Sequence, residues 1–594
     1  MGISSSKFSK IALWGSLIIA ILLSYLVFWY SDIGDTLDNG VLLAESIVNG
    51  KFLEYYEYAS VNSSVYSVYP ANYNILLYAV FAIWNLPTVI LHITSDFDYM
   101  VSTGAMLWCK AIIPVALLGV ALVVKKVTER LGGSDEDGTV AAFLSISSLC
   151  VMVPALVASQ YDCIALLFML LGILFYSKGK TVPFILMFAI AVPLKLFAIF
   201  IFIPLLLIRF KNVLHLLVML VSVMIPSFFL ELPFKGEPYF EAALGSQNGD
   251  AIELIVGANV KVGELKINLF FVAYIVICFI CYLIRDKDNI TETRLGVYFS
   301  FAVFAAFCIL IPIRSYWIIL FTPFLAILAG LKKGCRVVPI LVDTLAGFGA
   351  GIYFLANHWI YNTGHIASHL VLYNVELEEG MEPKYSSFDY LIEDLGLWDM
   401  RFIFFAVFIG AVVFALWYLY PEKSSDNSDE GTRMNFYWAL LVRPVILIAV
   451  SAVLIYCEFA AIPAVKFGET SYEVVMDSNI MDTSNDLVIM RTISFESDET
   501  LSEMTLHLDT YAYRSARALL GVRLFDDTEE IIWEDSIGIV LIEDDKATFD
   551  LDGLEVEAGK EYTLELYAIR PELAADGYVR PYLDSDNKIA VTIR

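Results

Sequence analysis

The sequence predicts an α-helical polytopic membrane protein with about 13 transmembrane helices, followed by an all-β sandwich domain. The chain has 594 residues, of which 58% are hydrophobic, and its mean hydropathy is +0.69. Because roughly twenty consecutive apolar residues span a bilayer core, this composition excludes a soluble globular chain. After residue 465 the long apolar runs give way to short alternating segments. We therefore predict a transmembrane domain over 1–465 and a sandwich over 466–594.

The positively charged residues set the predicted topology. We predict spans near residues 11–31, 103–125, 138–158, 162–177, 181–194, 196–209, 213–231, 267–284, 293–312, 316–331, 337–359, 402–420 and 440–461. This arrangement places the Lys/Arg clusters on the cytoplasmic side, as the positive-inside rule requires. Counting residues 72–87 as a span would reverse most of these clusters, so we predict a helix at or partly within the outer interface.

The same topology gives a multi-pass protein of the cell membrane with an extracytoplasmic C-terminal domain. Its outer regions are residues 32–73, 159–162, 232–266 and 360–400. The first apolar run is too long for a signal peptide and lacks a small-residue cleavage site, so we expect a retained helix. The eight cysteines lie almost entirely in apolar runs, which predicts no disulfide framework.

Residues 466–594 alternate in short strand-like runs such as "EMTLHLDTYAY" and "EYTLELYAIR", separated by Gly, Asp and Asn. This pattern is typical of a β-sandwich. The segment contains 29 acidic and 11 basic residues, so it carries −18 of the chain's net charge of −27. Such acidity keeps an external domain soluble and disfavours nucleic acid as a partner.

Ionisable residues at the predicted outer membrane edge are the candidate functional groups. They are Asp32, Asp35, Asp38, Asp162, Lys195 and Arg314. A carboxylate beside an acceptor hydroxyl acts as a general base, and cations stabilise a phosphate or diphosphate leaving group. The combination favours group transfer from a donor linked to a phospholipid.

Residues 159–208 resemble the core of the polytopic GT-C glycosyltransferases, including the mannosyltransferase-like group. That family has a Gly-Gln-x-Asp turn, two helices joined by a small basic loop, and a Phe/Leu-Lys break. Here the turn reads "SQYD" (159–162), and the break is Leu194-Lys195-Leu196. The first outer loop, "IGDTLDNGVLLAESIVNGKF" followed by "YPANYNILLYAVF", is similar to the family's order of Gly-Asp, amphipathic helix, Tyr-Pro and interfacial helix. The resemblance covers roughly residues 10–330.

The resemblance implies an inverting transfer of one sugar, with mannose as a candidate, at the outer face of the membrane. The donor would be a polyprenyl-phosphate sugar, and the acceptor a cell-envelope glycan or glycolipid. Asp35, in the Gly-Asp position, would be the general base. Asp32 and Asp38 would position the acceptor or hold a divalent metal such as Mg or Mn.

The remaining site residues follow from the same resemblance. Gln160, Tyr161 and Asp162 would orient the substrate, while Lys195, Arg314 and Tyr316 would face the lipid phosphate. The sequence departs from the family at "IPIRSYW" (311–317), where related proteins have a motif of the Met-His-Glu-Arg-Tyr type. Only Arg314 and Tyr316 match that motif, and their spacing differs.

A local structural role is the alternative for each charged residue. Asp32 would end the first helix in water, and Asp38 would be the N-cap of the following helix. Asp162 would cap the short helix after it, and Lys195 would extend its ammonium to the headgroups. His365 and His369, four residues apart on one helix, are either zinc ligands or interfacial structural residues.

The sandwich resembles the carbohydrate-binding-module-like jelly rolls that some bacterial glycosyltransferases carry. Binding of the growing glycan and a purely structural role are both open. Two other functions remain: a transporter or flippase for a lipid-linked sugar, and a non-catalytic glycan-binding scaffold. The first would show paired inverted repeats with interrupted helices. The second would not need Asp35 or Lys195.

Overall fold

The computed structural model divides the chain into two compact units. The first comprises Met1–Glu57 and Ala71–Pro463, and the second comprises Tyr58–Pro70 and Ala464–Arg594. The structure describes residues 2–28, 31–63, 71–95, 97–100, 102–262, 265–285, 287–332, 336–355, 381–383, 388–421, 437–463, 473–474, 480–481, 488–495, 498–511, 518–528, 530–539, 542, 546–569, 578–583 and 591–593.

The first unit is mostly helical. The described helices are α1 (Gly2–Val27), α2 (Ser31–Val48), α3 (Tyr55–Asn62), α4 (Ile75–Trp84), α5 (Leu86–Ser95), α6 (Thr103–Lys110), α7 (Ile112–Arg130), α8 (Asp135–Ser147), α9 (Leu149–Met152), α10 (Asp162–Ser177), α11 (Thr181–Leu194), α12 (Ala198–Arg209), α13 (Val213–Glu231), α14 (Pro238–Gly257), α15 (Leu269–Leu283), α16 (Asn289–Leu310), α17 (Thr322–Leu331), α18 (Val337–Leu355), α19 (Phe388–Asp394), α20 (Arg401–Tyr418) and α21 (Tyr437–Phe459).

Several of these helices can cross a membrane. Within the described residues, five helices are long and apolar enough by length and composition, or up to eight if each bent pair of helices counts as one span. Six further apolar helices have 10 to 17 residues. The protein is therefore a multi-pass membrane protein by these criteria, while the count of thirteen spans stays a prediction.

Helix breaks, rather than straight spans, shape the part of the unit that contains the candidate site. The bend between α4 and α5 is 77°, and the bend between α8 and the segment from α9 to Val157 is 50°. Pro154 lies in the π-helical turn Val153–Val157, and Pro193 lies near the end of α11. Since proline removes a backbone donor and crowds the preceding turn, these positions favour the observed interruptions.

A buried ion pair joins two helices in the apolar interior of the first unit. Arg443 of α21 contacts Asp343 of α18, and both side chains are fully buried. Ser148, at the break between α8 and α9, donates a hydrogen bond to the other oxygen of Asp343. This pair ties the last helix and α18 to the broken helix that leads to the 159–162 turn.

Short strands complete the first unit, and the second unit is a sandwich of longer ones. The strands are β1 (Asn259–Val262), β2 (Leu265–Asn268), β3 (Met381–Pro383), β4 (Ala461–Pro463), β5 (Glu473–Val474), β6 (Ile489–Ser494), β7 (Glu499–Tyr511), β8 (Leu519–Phe525), β9 (Ile531–Gly538), β10 (Lys546–Val556), β11 (Glu561–Ile569), β12 (Tyr578–Leu583) and β13 (Val591–Ile593).

Two antiparallel sheets form the second unit. One has the strand order β10-β7-β12-β5, with β13 also paired to β7, and the other has the order β6-β11-β8-β9. Alternate side chains of β11, such as Leu564 and Leu566, are fully buried. They share one core with Leu506 and Leu508 of β7, so the apolar faces of the two sheets pack together.

Candidate functional site

Helix α2 contains the three aspartates Asp32, Asp35 and Asp38. It begins at Ser31, so Asp32 lies in its first turn, where the helix dipole favours a negative charge. Asp32, Asp35 and Asp38 are three residues apart and therefore lie within about a third of the helix circumference. The apolar side chains Ile33 and Leu37 are fully buried on the side that packs into the unit.

Close packing against α4 fixes this helix. A Cβ atom added to Gly40 would lie 3.0 Å from the backbone nitrogen of Ala82. Glycine at position 40 has no Cβ, so the backbones of α2 and α4 can approach this closely. The segment directly before α4 contains Tyr73. The packing of α2 against α4 therefore fixes the positions of the three aspartates.

Asp32 is joined to the 159–162 turn. Gln160 Nε2 donates a hydrogen bond of 2.6 Å to Asp32 Oδ2, across 128 residues of sequence. Asp32 also interacts electrostatically with Lys195, Asp162 and Arg314. The contact joins the start of α2 to the 159–162 turn, a proximity that the sequence alone does not show.

The backbone of that turn is unusual. The π-helical turn Val153–Val157 ends at Ala158, and Ser159 follows with φ of +52° in the left-handed region. Glycine is favoured there because it has no Cβ. Ser159 therefore adopts a conformation that glycine would adopt without strain. The turn brings the buried Gln160 to Asp32, and α10 begins directly after it at Asp162.

Asp162 and Lys195 form a buried ion pair. Lys195 Nζ lies 2.8 Å from Asp162 Oδ1, and the two side chains are 10% and 1% exposed. Lys195 occupies the extended residue between α11 and α12, at the break that the sequence predicts. Asp162 makes no side-chain capping bond to α10, so the ion pair, and not helix capping, accounts for its position.

Three tyrosine rings surround the ammonium of Lys195. The distances from Nζ to the ring centres are 5.1 Å for Tyr73, 5.8 Å for Tyr161 and 5.8 Å for Tyr316. These distances fall within the range of cation–π attraction. Lys195 is thus enclosed by aromatic faces and a carboxylate, and it does not extend to headgroups as the structural alternative expects.

Tyr73 is a site residue that the sequence interpretation missed. Tyr56 Oη donates a 2.9 Å hydrogen bond to the Tyr73 carbonyl, and the Tyr73 amide donates a 2.9 Å bond to Tyr78 Oη. The two tyrosines hold the Tyr73 backbone so that its ring reaches Lys195. Its place in the family-like segment "YPANYN" was the signal available in the sequence.

Asp38 is fully buried in the interior of α2, which rules out the N-cap role considered from the sequence. Tyr99 Oη donates a 2.7 Å hydrogen bond to Asp38 Oδ1. Asp32 lies in the first turn of α2, and α1 ends earlier, at Val27, so Asp32 does not terminate the first helix.

Asp35 differs from both of its neighbours. Its side chain is half-buried, and within the described parts of the chain its carboxylate makes no hydrogen bond and no ion pair. It interacts electrostatically with Asp32 and Asp38. A half-buried carboxylate with free oxygens is able to accept a proton from a bound hydroxyl group.

Arg314 and Tyr316 lie beside the ion pair. Arg314 directly precedes the 3₁₀ turn Ser315–Leu320, and Tyr316 is the second residue of that turn. The Arg314 guanidinium interacts electrostatically with Asp32 and Tyr316. The structure therefore brings Arg314 and Tyr316 to the same site as Asp162 and Lys195. The site combines one available carboxylate with two cations.

Three acidic residues do not make a metal site in the described structure. Asp32 is engaged by Gln160, and Asp38 by Tyr99. Among the residues that the structure describes, no three His, Cys, Asp or Glu side chains are grouped to hold a metal ion. The Mg or Mn considered from the sequence does not fit these residues as they stand. His365 and His369 lie outside the described residues.

Comparisons with known proteins give one structural likeness. The chain matches no protein-family model, and its sequence matches no curated protein sequence. A solved structure that it is similar to is the cryo-EM structure of arabinosyltransferase EmbB from Mycobacterium smegmatis, with a TM-score of 0.34 and 12% sequence identity. The match covers 95% of this chain and 64% of that chain. A TM-score at this level does not establish a common fold.

Proposed function

We propose that the protein is a membrane glycosyltransferase that moves one sugar from a polyprenyl-phosphate sugar to a hydroxyl group of a cell-envelope glycan or glycolipid. The observation that carries the proposal is Asp35. Its carboxylate has no hydrogen-bond or ion-pair partner within the described residues, and it lies one turn from Asp32, which joins the cationic site.

In the proposed reaction Asp35 acts on the acceptor, and Lys195 and Arg314 act on the leaving phosphate. The acceptor oxygen attacks the anomeric carbon, the bond from that carbon to the phosphate oxygen breaks, and Asp35 takes the acceptor proton. The attack comes from the face opposite the phosphate, so the anomeric configuration inverts. Polyprenyl phosphate leaves with the bonding electrons.

Lys195 and Arg314 stabilise the charge on the departing phosphate. Lys195 is paired with Asp162, and its ammonium has three N–H donors, so donors remain for phosphate oxygens. Because Asp162 and the tyrosine rings fix this ammonium before the substrate arrives, the stabilisation needs little rearrangement. In this proposal Asp162 acts by holding Lys195, and Gln160 positions Asp32. The rings of Tyr161 and Tyr316 pack around the Lys195 ammonium.

Finer features of the proposal come from the sequence. The resemblance to the mannosyltransferase-like group favours mannose as the sugar, and the Lys/Arg clusters favour reaction at the outer face. The C-terminal sandwich is proposed to be extracytoplasmic and to bind the glycan product through a jelly-roll-like fold. No step of the reaction is assigned to a metal.

The test is a transfer assay with purified protein in detergent. The donors are labelled polyprenyl-phosphate mannose, glucose, galactose and N-acetylhexosamine, and the acceptor is a membrane-lipid extract. We expect one donor to be consumed by wild type and its turnover to fall at least 10³-fold in Asp35→Asn. Asp399→Asn is the matched control, because Asp399 is an exposed aspartate of the same unit.

Two results would oppose the proposal. Turnover by Asp35→Asn at the wild-type rate would remove Asp35 from the reaction. Binding of a donor that is never consumed, with every acceptor tried, would favour the transporter or the glycan-binding scaffold. Asp35→Asn must also retain the wild-type elution profile and unfolding midpoint, so that loss of turnover reports chemistry.

A further inference from the structure

The last turn of α5 and the short segment after it contact one face of α2 at two places. At the first, Tyr99 Oη donates its 2.7 Å hydrogen bond to Asp38 Oδ1. Tyr99 is 6% exposed and Asp38 is fully buried. A hydrogen bond between a hydroxyl and a buried carboxylate is among the stronger kinds, since one partner is charged and water is excluded.

The second contact joins His92 to Glu45. His92 Nε2 lies 2.9 Å from Glu45 Oε1, and His92 Nδ1 lies 2.9 Å from the carbonyl oxygen of Phe97. Each ring nitrogen of His92 therefore faces an oxygen atom, one on α2 and one on the segment after α5. The ring of His92 also meets the ring of Tyr99 edge to face, with centres 4.8 Å apart.

The two contacts act on one stripe of the helix. Asp38 and Glu45 are seven residues apart, which is close to two full turns, so they lie above one another on α2. His92 and Tyr99 contact each other as well as α2. The four side chains therefore form a continuous clamp, here called the 92–99 clamp, and it ends one turn from Asp35.

We propose that Tyr99 and His92 are positioning residues that fix the rotation of α2 and thereby aim the carboxylate of Asp35 at the acceptor. The proposal rests on the proposed glycosyltransferase function. It also changes the role of Asp38, which accepts the Tyr99 hydrogen bond and is neither a second base nor a metal ligand.

Helix geometry explains why such a clamp matters for the reaction. A carboxylate lies about 5 to 6 Å from the axis of its helix, so a rotation of about 10° moves it by about 1 Å. A misplacement of about 1 Å at a reacting group costs about 10²-fold in rate. The clamp contacts no substrate in this scheme, so its loss slows the chemical step without weakening donor binding.

The experiment measures kcat and KM for the donor in Tyr99→Phe, Asp38→Leu, Asp38→Asn and the double variant Tyr99→Phe/Asp38→Leu. We expect kcat to fall 10- to 100-fold in Tyr99→Phe and in Asp38→Leu, with the donor KM within twofold of wild type. The kcat of the double variant should fall no further than that of the worse single variant, because both changes remove the same Tyr99–Asp38 hydrogen bond. Asp38→Asn keeps an acceptor oxygen for Tyr99 and regains at least tenfold over Asp38→Leu.

Tyr298→Phe is the matched control, because Tyr298 Oη donates a 3.1 Å hydrogen bond to the Leu416 carbonyl, between α16 and α20. We expect its kcat at the wild-type value. Hydrogen exchange followed by mass spectrometry gives an independent readout. Tyr99→Phe and His92→Leu should speed amide exchange across residues 31–48, and Tyr298→Phe should not.

The outcomes separate this inference from the proposed function. If Asp35→Asn abolishes transfer but Tyr99→Phe has the wild-type kcat, the clamp is overturned and the function stands. Equal loss in Asp38→Asn and Asp38→Leu also overturns it, since the charge and not the hydrogen bond would then matter. If no donor is turned over, unchanged exchange in α2 of Tyr99→Phe overturns the clamp without any activity.

Discussion

Lys195 Nζ lies 2.8 Å from Asp162 Oδ1, and each residue lies at a break between helices of the first unit. Asp162 begins α10 directly after the 159–162 turn, and Lys195 follows α11. The pair therefore holds two interrupted helices together at the point where Asp32 and Arg314 also arrive. Its stability and its chemical role can be separated by substitution.

Breaking this ion pair from one side should destabilise the protein strongly. Asp162→Leu or Lys195→Met leaves a buried charge without its partner, which costs about 3–5 kcal/mol. The double variant Lys195→Met/Asp162→Leu should regain most of that loss, since replacing both charges by apolar groups is often near neutral. Thermal unfolding in detergent, followed by light scattering or intrinsic fluorescence, measures the effect.

Transfer activity should not return in the double variant, because the cation for the leaving phosphate is still absent. Lys180→Met, at an exposed lysine of the same unit, is the control and should match wild type in both measurements. A double variant that transfers sugar as fast as wild type would show that Lys195 serves only the fold.

Ser159 should gain stability when it is replaced by glycine. Its φ of +52° costs an L-residue roughly 1–2 kcal/mol, and its buried hydroxyl has no hydrogen-bond partner within the described residues. Ser159→Gly removes the strain and the hydroxyl, so the unfolding midpoint should rise. Ser159→Ala removes the hydroxyl alone, so its unfolding midpoint should rise less than that of Ser159→Gly.

Ser159→Val is the opposing variant for the same position. A β-branched side chain is a poor fit to the left-handed region, so we expect a lower midpoint and reduced transfer. Equal midpoints for the glycine and valine variants would mean that residue 159 does not hold a left-handed conformation in the folded protein.

The sandwich should lose stability as the pH falls through a window set by His507. Burial, and then the neighbouring Lys546 ammonium, lower the pKa of His507 below its ordinary value of 6.5. The unfolded chain therefore binds a proton before the folded one does. The contribution of His507 is complete above pH 6.5 and is lost as the pH falls from 6.5 through the folded pKa.

The measurement is hydrogen exchange of peptides from β7 and β11 in the full-length protein between pH 7 and 5.5, corrected for intrinsic exchange. Wild type should lose up to about 1.4 kcal/mol per unit of pKa difference. His507→Gln removes the titrating group and leaves an amide able to reach Thr592 Oγ1, the partner that His507 Nε2 approaches at 3.2 Å. Its stability should change less over the same window.

The predicted topology places residues 466–594 outside the cytoplasmic membrane. Protease added to intact cells should release a C-terminal fragment that begins near residue 464, while the Lys/Arg loops of the first unit stay protected. Detergent lysis is the control that exposes both sides. Protection of the C-terminal fragment in intact cells would invert the topology and place the candidate site on the cytoplasmic side.

Some of the fold followed from local pattern. Residues 181–194 and 213–231 were predicted as helices with the bounds that α11 and α13 have, because apolar runs ended by charged or capping residues define such boundaries. The interruption at Lys195 was likewise visible in the sequence. The predicted turn at 159–162 appears as a left-handed residue after a π-helical turn, a geometry that no residue pattern specifies.

The amino-acid sequence by itself determined a membrane-embedded helical unit, an acidic β-rich C-terminal unit and a set of charged residues at helix ends, because hydropathy and charge act locally along the chain. Only the tertiary structure decided which of those charges meet. Gln160 reaches Asp32, Tyr99 reaches Asp38 and Tyr73 reaches Lys195 across long stretches of chain. Helix packing sets these partners, and within the described residues it leaves the Asp35 carboxylate without a hydrogen bond or an ion pair.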